Sequence, residues 1–163
     1  LITEMISLKF HQTLSAVTGS GASDIVDTWT KKKGQYILVV EGSIPAGMPS
    51  ACMVGGKPLA DQVVAAARNA KLVLTVGTCA SYGGIPAAKG NLTGAMSVPD
   101  YLAKQKIETK VIRIPGCPAH PDRVVGTLVQ LLKFGMPSLR GGRRPTTSFG
   151  KTLHGRSAER AGG

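Results

Sequence analysis

The chain has 163 residues, of which 42% are hydrophobic, and a mean hydropathy of +0.08, values typical of one domain with a packed core. No apolar run approaches the roughly 18 residues that a membrane-crossing helix needs, and no basic start followed by an apolar stretch indicates a secretory signal. The three cysteines are an odd number in a chain too long to need disulfides, so metal ligation or burial is favoured over a disulfide framework, while the net charge of +11 raises the question of an anionic partner.

The first third of the chain predicts two helical segments and two strands. Ile2 to Phe10 has alternating apolar residues and predicts the end of a helix that runs into a short strand. Ser23 or Asp24 is expected to cap a helix that ends at the basic run 31–33, before a glycine. Tyr36 to Val40, a β-branched run between glycines, predicts a buried strand.

The middle of the chain alternates between helices and strands. Gly42 to Gly56 is rich in glycine and proline and predicts a loop, and Lys57 to Asn69 has the apolar spacing of an amphipathic helix. Lys71 to Val76 predicts another buried strand, followed by a glycine-rich loop. Ser97 then caps a short helix that ends near Gln105.

The last regular elements complete an α/β pattern. Lys110 to Ile114 predicts a strand, and Pro121 to Phe134 a helix whose inward side chains are Val124, Val125, Leu128, Leu131 and Leu132. Strands that alternate with helices predict a parallel, flavodoxin-like sheet with flanking helices, which we assign to residues 1–135.

Residues 136–163 predict an irregular basic tail. Hydrophobic periodicity is lost there, and glycine, proline, arginine and serine dominate. Its cations, opposed only by Glu159, are Arg140, Arg143, Arg144, Lys151, Arg156 and Arg160. Because almost no aromatic residues lie among them, we expect a solvated or partner-covered tail and no nucleic-acid partner.

Cys79 and Cys117 each follow a predicted strand, in Val-Gly-Thr-Cys-Ala-Ser-Tyr-Gly-Gly and Ile-Pro-Gly-Cys-Pro-Ala-His-Pro. Both turns are expected at the carboxyl edge of the sheet, where ligands bind in open α/β folds. The two thiols are therefore either ligands of a shared metal or cluster, or buried small hydrophobic residues. No phosphate loop, nucleophile arrangement or carboxylate pair is present, so no catalytic residue is predicted and a flavin carrier is disfavoured.

Four segments together resemble the small subunits of nickel-iron hydrogenases. They are Val-Glu-Gly-Ser-Ile-Pro from Val40, Gly-Thr-Cys-Ala-Ser-Tyr-Gly-Gly-Ile-Pro-Ala-Ala from Gly77, Pro-Gly-Cys-Pro-Ala-His-Pro from Pro115, and Arg-Pro-Thr from Arg144 with Phe-Gly-Lys-Thr-Leu-His from Phe149. The resemblance implies an electron-transfer subunit of an enzyme complex that interconverts hydrogen with protons and electrons. Its partners would be a large subunit carrying the nickel-iron centre and an electron acceptor such as a cytochrome.

The resemblance also implies roles for particular residues. Cys79 and Cys117 would be two of the four ligands of a proximal [4Fe-4S] cluster, with Glu41, Thr78 and Gly116 close to it. Cys52 matches no ligand of the family, and His11 and His120 are expected to be structural.

His154 stands where the family has a histidine ligand of a more distant cluster. The cysteine that follows it in the family is replaced here by Ser157, a poor ligand for iron. The interpretations of His154 as a ligand and as a surface residue of the tail both stay open.

The family's other proximal ligands belong to a Cys-x-x-Cys turn that would precede Leu1, and its further clusters belong to a region that would follow Gly163. We therefore expect a portion of a longer subunit, the alternative being a shortened relative without its electron-transfer chain. The motifs resemble those of uptake-type members, which implies a periplasmic location or association with the periplasmic side of a membrane. The competing function is a non-redox, flavodoxin-like module that docks a large partner.

Overall fold

The computed structural model describes residues 5–140 and 143–146. The helices are α1 (Gly19–Thr30), α2 (Leu59–Asn69), α3 (Thr78–Tyr82), α4 (Val98–Lys104) and α5 (Pro121–Phe134). The strands are β1 (Ile37–Glu41), β2 (Ile44–Pro45), β3 (Met53–Val54), β4 (Lys57–Pro58), β5 (Leu72–Val76), β6 (Ala95–Met96), β7 (Val111–Ile114), β8 (Leu139–Arg140) and β9 (Arg144–Pro145).

The central sheet is parallel and has the order β1-β5-β7. Its register brings the last residues of the three strands side by side, since Val76 pairs with Glu41 on one side and with Ile114 on the other. The predicted α/β fold, a parallel sheet with flanking helices, is confirmed. The segments that follow the three strands consequently begin at one level of the carboxyl edge.

The two faces of the sheet are covered by different helices. On one face, Val40, Val73 and Val111 form a core with buried residues of α2, α3 and α4. On the other face, side chains of β5 and β7 pack against α5, and this second core contains Leu72, Leu74, Ile112 and Ile114 with Val124, Leu128 and Leu131 around them. Alternation of side chains along each strand explains this division.

Strand β1 is an edge of the described sheet, because among the described residues it pairs only with β5. Its residue Val39 lies on the face that α5 covers further along the sheet, yet 53% of Val39 is exposed. Helix α5 therefore leaves part of this apolar face uncovered beside β1.

Helix α1 begins earlier than the sequence predicted. It starts at Gly19, with Thr18 as an N-cap that makes no side-chain capping bond, and neither Ser23 nor Asp24 caps it. The predicted capping residues lie inside the helix, so the capping preference of serine and aspartate did not locate its start. Residues 6–10, predicted as part of a helix and a strand, contain neither.

The start of α4 and both ends of α5 agree with the predicted positions. Ser97 caps α4 as predicted, since its Oγ accepts a hydrogen bond from the Asp100 backbone N–H at 3.2 Å. Helix α5 has the predicted bounds, but Val125 and Leu132 are 44% and 43% exposed and do not point into the core.

Short antiparallel pairs were missed by the sequence analysis. Strands β2 and β3 lie in the predicted loop 42–56, and β2 pairs with β6. Strands β8 and β9 pair within the predicted irregular tail. Two-residue strands carry too few residues for an alternating pattern to reveal them.

Within residues 5–140 and 143–146, no helix has the length and apolar character that a membrane crossing requires.

Candidate metal centre

Cys79 lies in the first turn of the short helix α3, directly after β5. The sequence analysis predicted only a loop here. Gly77 joins strand to helix with a φ of +91°, a conformation that glycine adopts without the strain a side chain would bring. The Cys79 side chain is half-buried. The tight turn therefore fixes this thiol on the rim of the sheet.

Cys117 occupies the equivalent place after β7. It is the third residue after Ile114, as Cys79 is the third residue after Val76, and those two strand ends pair with each other. Cys117 is exposed, and the peptide bond between it and Pro118 is cis. The register therefore places both cysteines at matching positions on neighbouring strands.

The two cysteine turns are hydrogen-bonded to each other. The backbone N–H of Thr78 donates to the carbonyl oxygen of Gly116 at 2.8 Å. In return, the N–H of Gly116 donates to the side-chain Oγ1 of Thr78 at 3.1 Å. The N–H of Gly77 completes the contact by donating to the carbonyl oxygen of Ile114 at 2.9 Å. The residues immediately before the two cysteines are thereby held together.

Gly84 leaves space next to the Cys79 sulfur. A Cβ atom added at Gly84 would lie 2.7 Å from the Cys79 sulfur, closer than real contacts allow, and the φ of Gly84 is +61°. Only glycine fits both the space and the backbone conformation at this position. The glycine-rich loop thus leaves space for the Cys79 thiol, and a larger residue at position 84 would fill that space.

Charged and aromatic groups surround the turns. Glu41 ends β1 beside Val76 and is exposed, and its side chain makes no hydrogen bond or ion pair with another described residue. Arg113 on β7 places its guanidinium carbon 5.0 Å from the ring centre of Tyr82 in α3. The Nε atom of Arg113 is buried without a hydrogen-bond partner in the part of the chain that is described.

The remaining candidate ligands have other roles or lie elsewhere. The Nδ1 atom of His120 accepts from the Asp122 N–H at 3.2 Å and caps α5, and that of His11 accepts from the Thr13 N–H at 3.1 Å. These contacts agree with the structural roles expected for both histidines. Cys52 lies after a short 3₁₀ turn, where its backbone N–H bonds to Pro49. His154 lies outside the described residues.

The donor chemistry of the site is that of a thiolate centre. Thiolates are soft ligands that select zinc, copper(I) or iron–sulfur clusters. The described residues bring two cysteines to one edge but contain no group of three or more His, Cys, Asp or Glu side chains suited to a metal. The two cysteine turns therefore fit half of a four-thiolate site.

The parallel sheet with paired cysteine turns at its carboxyl edge defines an α/β protein with a candidate thiolate metal centre. Comparison with known proteins gives its family. The chain belongs to the family described as NADH ubiquinone oxidoreductase, 20 Kd subunit, which matches residues 1–131. The curated relatives that it matches include small subunits of hydrogenases.

Two curated relatives illustrate the match. The chain is 38% identical over 157 residues to the Hydrogenase-2 small chain of Escherichia coli K12, covering 94% of this chain and 41% of the relative. It is 35% identical over 173 residues to the periplasmic [NiFeSe] hydrogenase small subunit of Desulfomicrobium baculatum, covering 94% and 55%. The chain thus spans about half the length of the curated relatives it matches.

Solved structures agree. The Ni-Fe-Se hydrogenase of Desulfomicrobium baculatum superposes with a TM-score of 0.83 at 37% identity, covering 89% of this chain and 58% of that one. The [NiFeSe] hydrogenase of Desulfovibrio vulgaris Hildenborough gives 0.81 at 38% identity, covering 89% and 58%. These matches confirm the resemblance to hydrogenase small subunits.

Proposed function

We propose that the chain is part of the electron-transfer subunit of a nickel-iron hydrogenase. The observation that carries the proposal is the hydrogen-bonded pair of turns, in which Thr78 and Gly116 hold Cys79 and Cys117 at matching positions of neighbouring strands. Such an arrangement suits two thiolates that share one centre, and the relatives are hydrogenase small subunits.

Cys79 and Cys117 would hold a [4Fe-4S] cluster together with two thiolates from outside the described residues. When bound, a cluster of this type accepts and releases single electrons. Gly77 and Gly116 let the backbone come close to the ligand site, and Gly84 keeps space beside the Cys79 sulfur. The reciprocal bonds of Thr78 hold both turns in place before a ligand arrives, which reduces the ordering needed on binding.

The partner would be a large subunit that carries the nickel-iron centre and covers the carboxyl edge. Apolar side chains after Cys79 support such a contact, since Tyr82 is 43% exposed and Ile85 is 86% exposed. Exposed apolar side chains grouped beside a functional site are typical of protein interfaces. An acceptor such as a cytochrome would receive the electrons, and the name of the periplasmic relative supports a periplasmic location.

Iron and labile sulfide in the anaerobically purified complex test the proposal. We expect Cys79→Ala and Cys117→Ala each to lower the iron content and to abolish hydrogen-dependent dye reduction. Cys52→Ala is the matched control and should retain both properties, because Cys52 is remote from the two turns in the sequence and matches no ligand of the family.

A complex that contains no iron but binds its large partner fully would favour the competing function, a non-redox docking module. Normal iron content in both single variants would show that the two cysteines are not ligands. Each outcome is read from the metal content and from partner binding separately, so loss of assembly is not confused with loss of a ligand.

A further inference from the structure

The end of the molecule opposite the cysteine turns is strongly basic. The segments at this amino edge of the sheet are residues 31–36, 68–71, 104–110 and 133–136, and Glu108 is their only acidic residue. Their cations, which we call the basic pole, are Lys31, Lys32, Lys33, Arg68, Lys71, Lys104, Lys106, Lys110 and Lys133. All nine except the half-buried Lys32 are exposed, and none makes an ion pair with another described residue.

Hydrogen bonds join three of these segments into one continuous rim. The side chain of Asn69 donates to the carbonyl oxygen of Thr30 at 2.8 Å, and the N–H of Gly34 donates to the carbonyl oxygen of Asn69 at 2.7 Å. The Oγ1 of Thr109 donates to the carbonyl oxygen of Ala67 at 2.6 Å. Eight of the nine charges are therefore carried by loops fixed to one another, and the C-terminal end of α5 adds Lys133.

Helix capping explains only part of this charge. Lys31, Arg68, Lys104 and Lys133 lie at helix C-termini, where a cation interacts favourably with the helix dipole. The other five cations of the basic pole do not lie within a helix end. Their mutual repulsion acts within the Debye length of about 8 Å at physiological salt, so the accumulation disfavours the isolated fold.

The chemistry of the surface favours lipid as its partner. The cations are spread over several loops and do not converge on a single anion pocket. The C-terminal end of α5 adds apolar side chains at the same edge, since Phe134 is 73% exposed and Met136 is 47% exposed. Trp29 lies nearby, with Lys32 at 3.9 Å from its ring centre. Lysines mixed with exposed aromatic and apolar side chains are typical of surfaces that bind anionic bilayers.

We propose that the basic pole docks on an anionic lipid surface. The cysteine turns and the basic pole lie at opposite ends of the same strands, so the lipid-facing end points away from the edge assigned to the large subunit. This inference goes beyond the proposed function and does not depend on it, because lipid binding is measured without reference to iron or to hydrogen.

Vesicle flotation of the purified complex tests the inference. At limiting lipid, we expect more binding to vesicles of phosphatidylcholine with phosphatidylglycerol than to phosphatidylcholine alone, and the difference should decrease with added salt. Lys71→Gln combined with Lys110→Gln should weaken the preference by about 25-fold, at roughly fivefold per lysine near the surface. Both side chains are exposed, so neutralising them leaves the core unchanged.

Lys57→Gln combined with Lys89→Gln is the control for charge, because it removes two positive charges outside the basic pole, one of them paired with Asp27, and should retain the lipid preference. Phe134→Ser should reduce the binding that persists at high salt. Equal loss in the two double variants, or no preference for anionic vesicles, would overturn the inference. Salt-sensitive retention on immobilised succinylated albumin without vesicle binding would instead indicate an acidic protein partner.

Discussion

Thr78 and Gly116 exchange two hydrogen bonds, one through the Thr78 backbone N–H at 2.8 Å and one through its side-chain oxygen at 3.1 Å. Backbone pairing alone accounts for the first bond. The second depends on the hydroxyl group, and it joins the turn of Cys117 to the turn of Cys79. A single side chain therefore contributes to the relative position of two cysteines that are 38 residues apart.

Removing that hydroxyl should loosen the paired turns. Thr78→Val keeps the shape of the side chain but leaves the Gly116 N–H without its acceptor, which should lower the free energy of unfolding by about 1 kcal/mol. Urea denaturation measures this loss, and iron content should fall in parallel. Thr78→Ser retains the hydroxyl and is the control. Equal stability in the valine and serine variants would mean that the bond contributes nothing.

Gly84 and Gly90 allow a test of the space around the Cys79 sulfur. Both have positive φ, +61° and +87°, so alanine strains the backbone at either position by about 1 kcal/mol. Only the Gly84 substitution also places a Cβ atom 2.7 Å from the sulfur, whereas Gly90 has open space. We expect Gly84→Ala to lose iron and Gly90→Ala to retain it. Similar iron contents in the two variants would contradict this account.

The charge of Arg113 is not expected to stabilise the fold. Its contact with Tyr82 contributes about 0.5–1 kcal/mol, whereas a buried polar atom without a partner costs about 1–3 kcal/mol. Arg113→Met keeps an unbranched side chain of similar length and should leave the free energy of unfolding unchanged or raise it. Chemical denaturation is the measurement. A loss above about 1 kcal/mol would show that the guanidinium has a stabilising partner in the full protein.

Tyr36 should make the protein sensitive to alkaline conditions. Burial raises the pKa of its phenol above the ordinary value, and the hydroxyl donates to the Ala66 carbonyl oxygen at 2.6 Å. Because the folded-state pKa lies above the unfolded one, this stabilisation is complete below the unfolded-state pKa near 10 and is lost as the pH rises through the folded-state value.

Tyr36→Phe removes the titrating group and is the comparison for that effect. The difference in free energy of unfolding between wild type and Tyr36→Phe should shrink as the pH rises above about 10. Lysines that lose their charge in the same range affect both proteins equally and cancel in the difference. A difference that stays constant up to pH 11, about one unit above the ordinary phenol pKa, would mean that the phenol of Tyr36 has the same pKa in the folded and unfolded states and that burial does not raise it.

The sequence predicted the strands of the central sheet well, because a strand that is buried on both faces has a nearly continuous apolar run. The run Leu72–Val76 is apolar except for Thr75, and four of its five residues are buried, which leaves few alternative structures. Strands β2 and β6 could not be predicted in this way, since each is only two residues long and is defined by its pairing with the other. Pairing between distant segments is not encoded in the local pattern of either one.

The site was predicted in part. The sequence placed Cys79 and Cys117 at one edge because parallel strands end together. It did not predict helix α3, whose five residues follow a glycine and precede another, or the hydroxyl bond from Thr78 to Gly116. The side-chain contact of Thr78 depends on the exact register of β5 and β7. No spacing rule supplies that register, and only the assembled sheet reveals it.

Strand β1 has one neighbouring strand among the described residues, and its residue Val39 is 53% exposed. Its outer side is a row of backbone donors and acceptors next to an apolar surface, which is a template for adding a further strand. Within the described part of the chain this edge has no pairing strand, so it is the place where edge-to-edge self-association would begin. Co-expression with a segment that pairs along β1 would suppress this self-association.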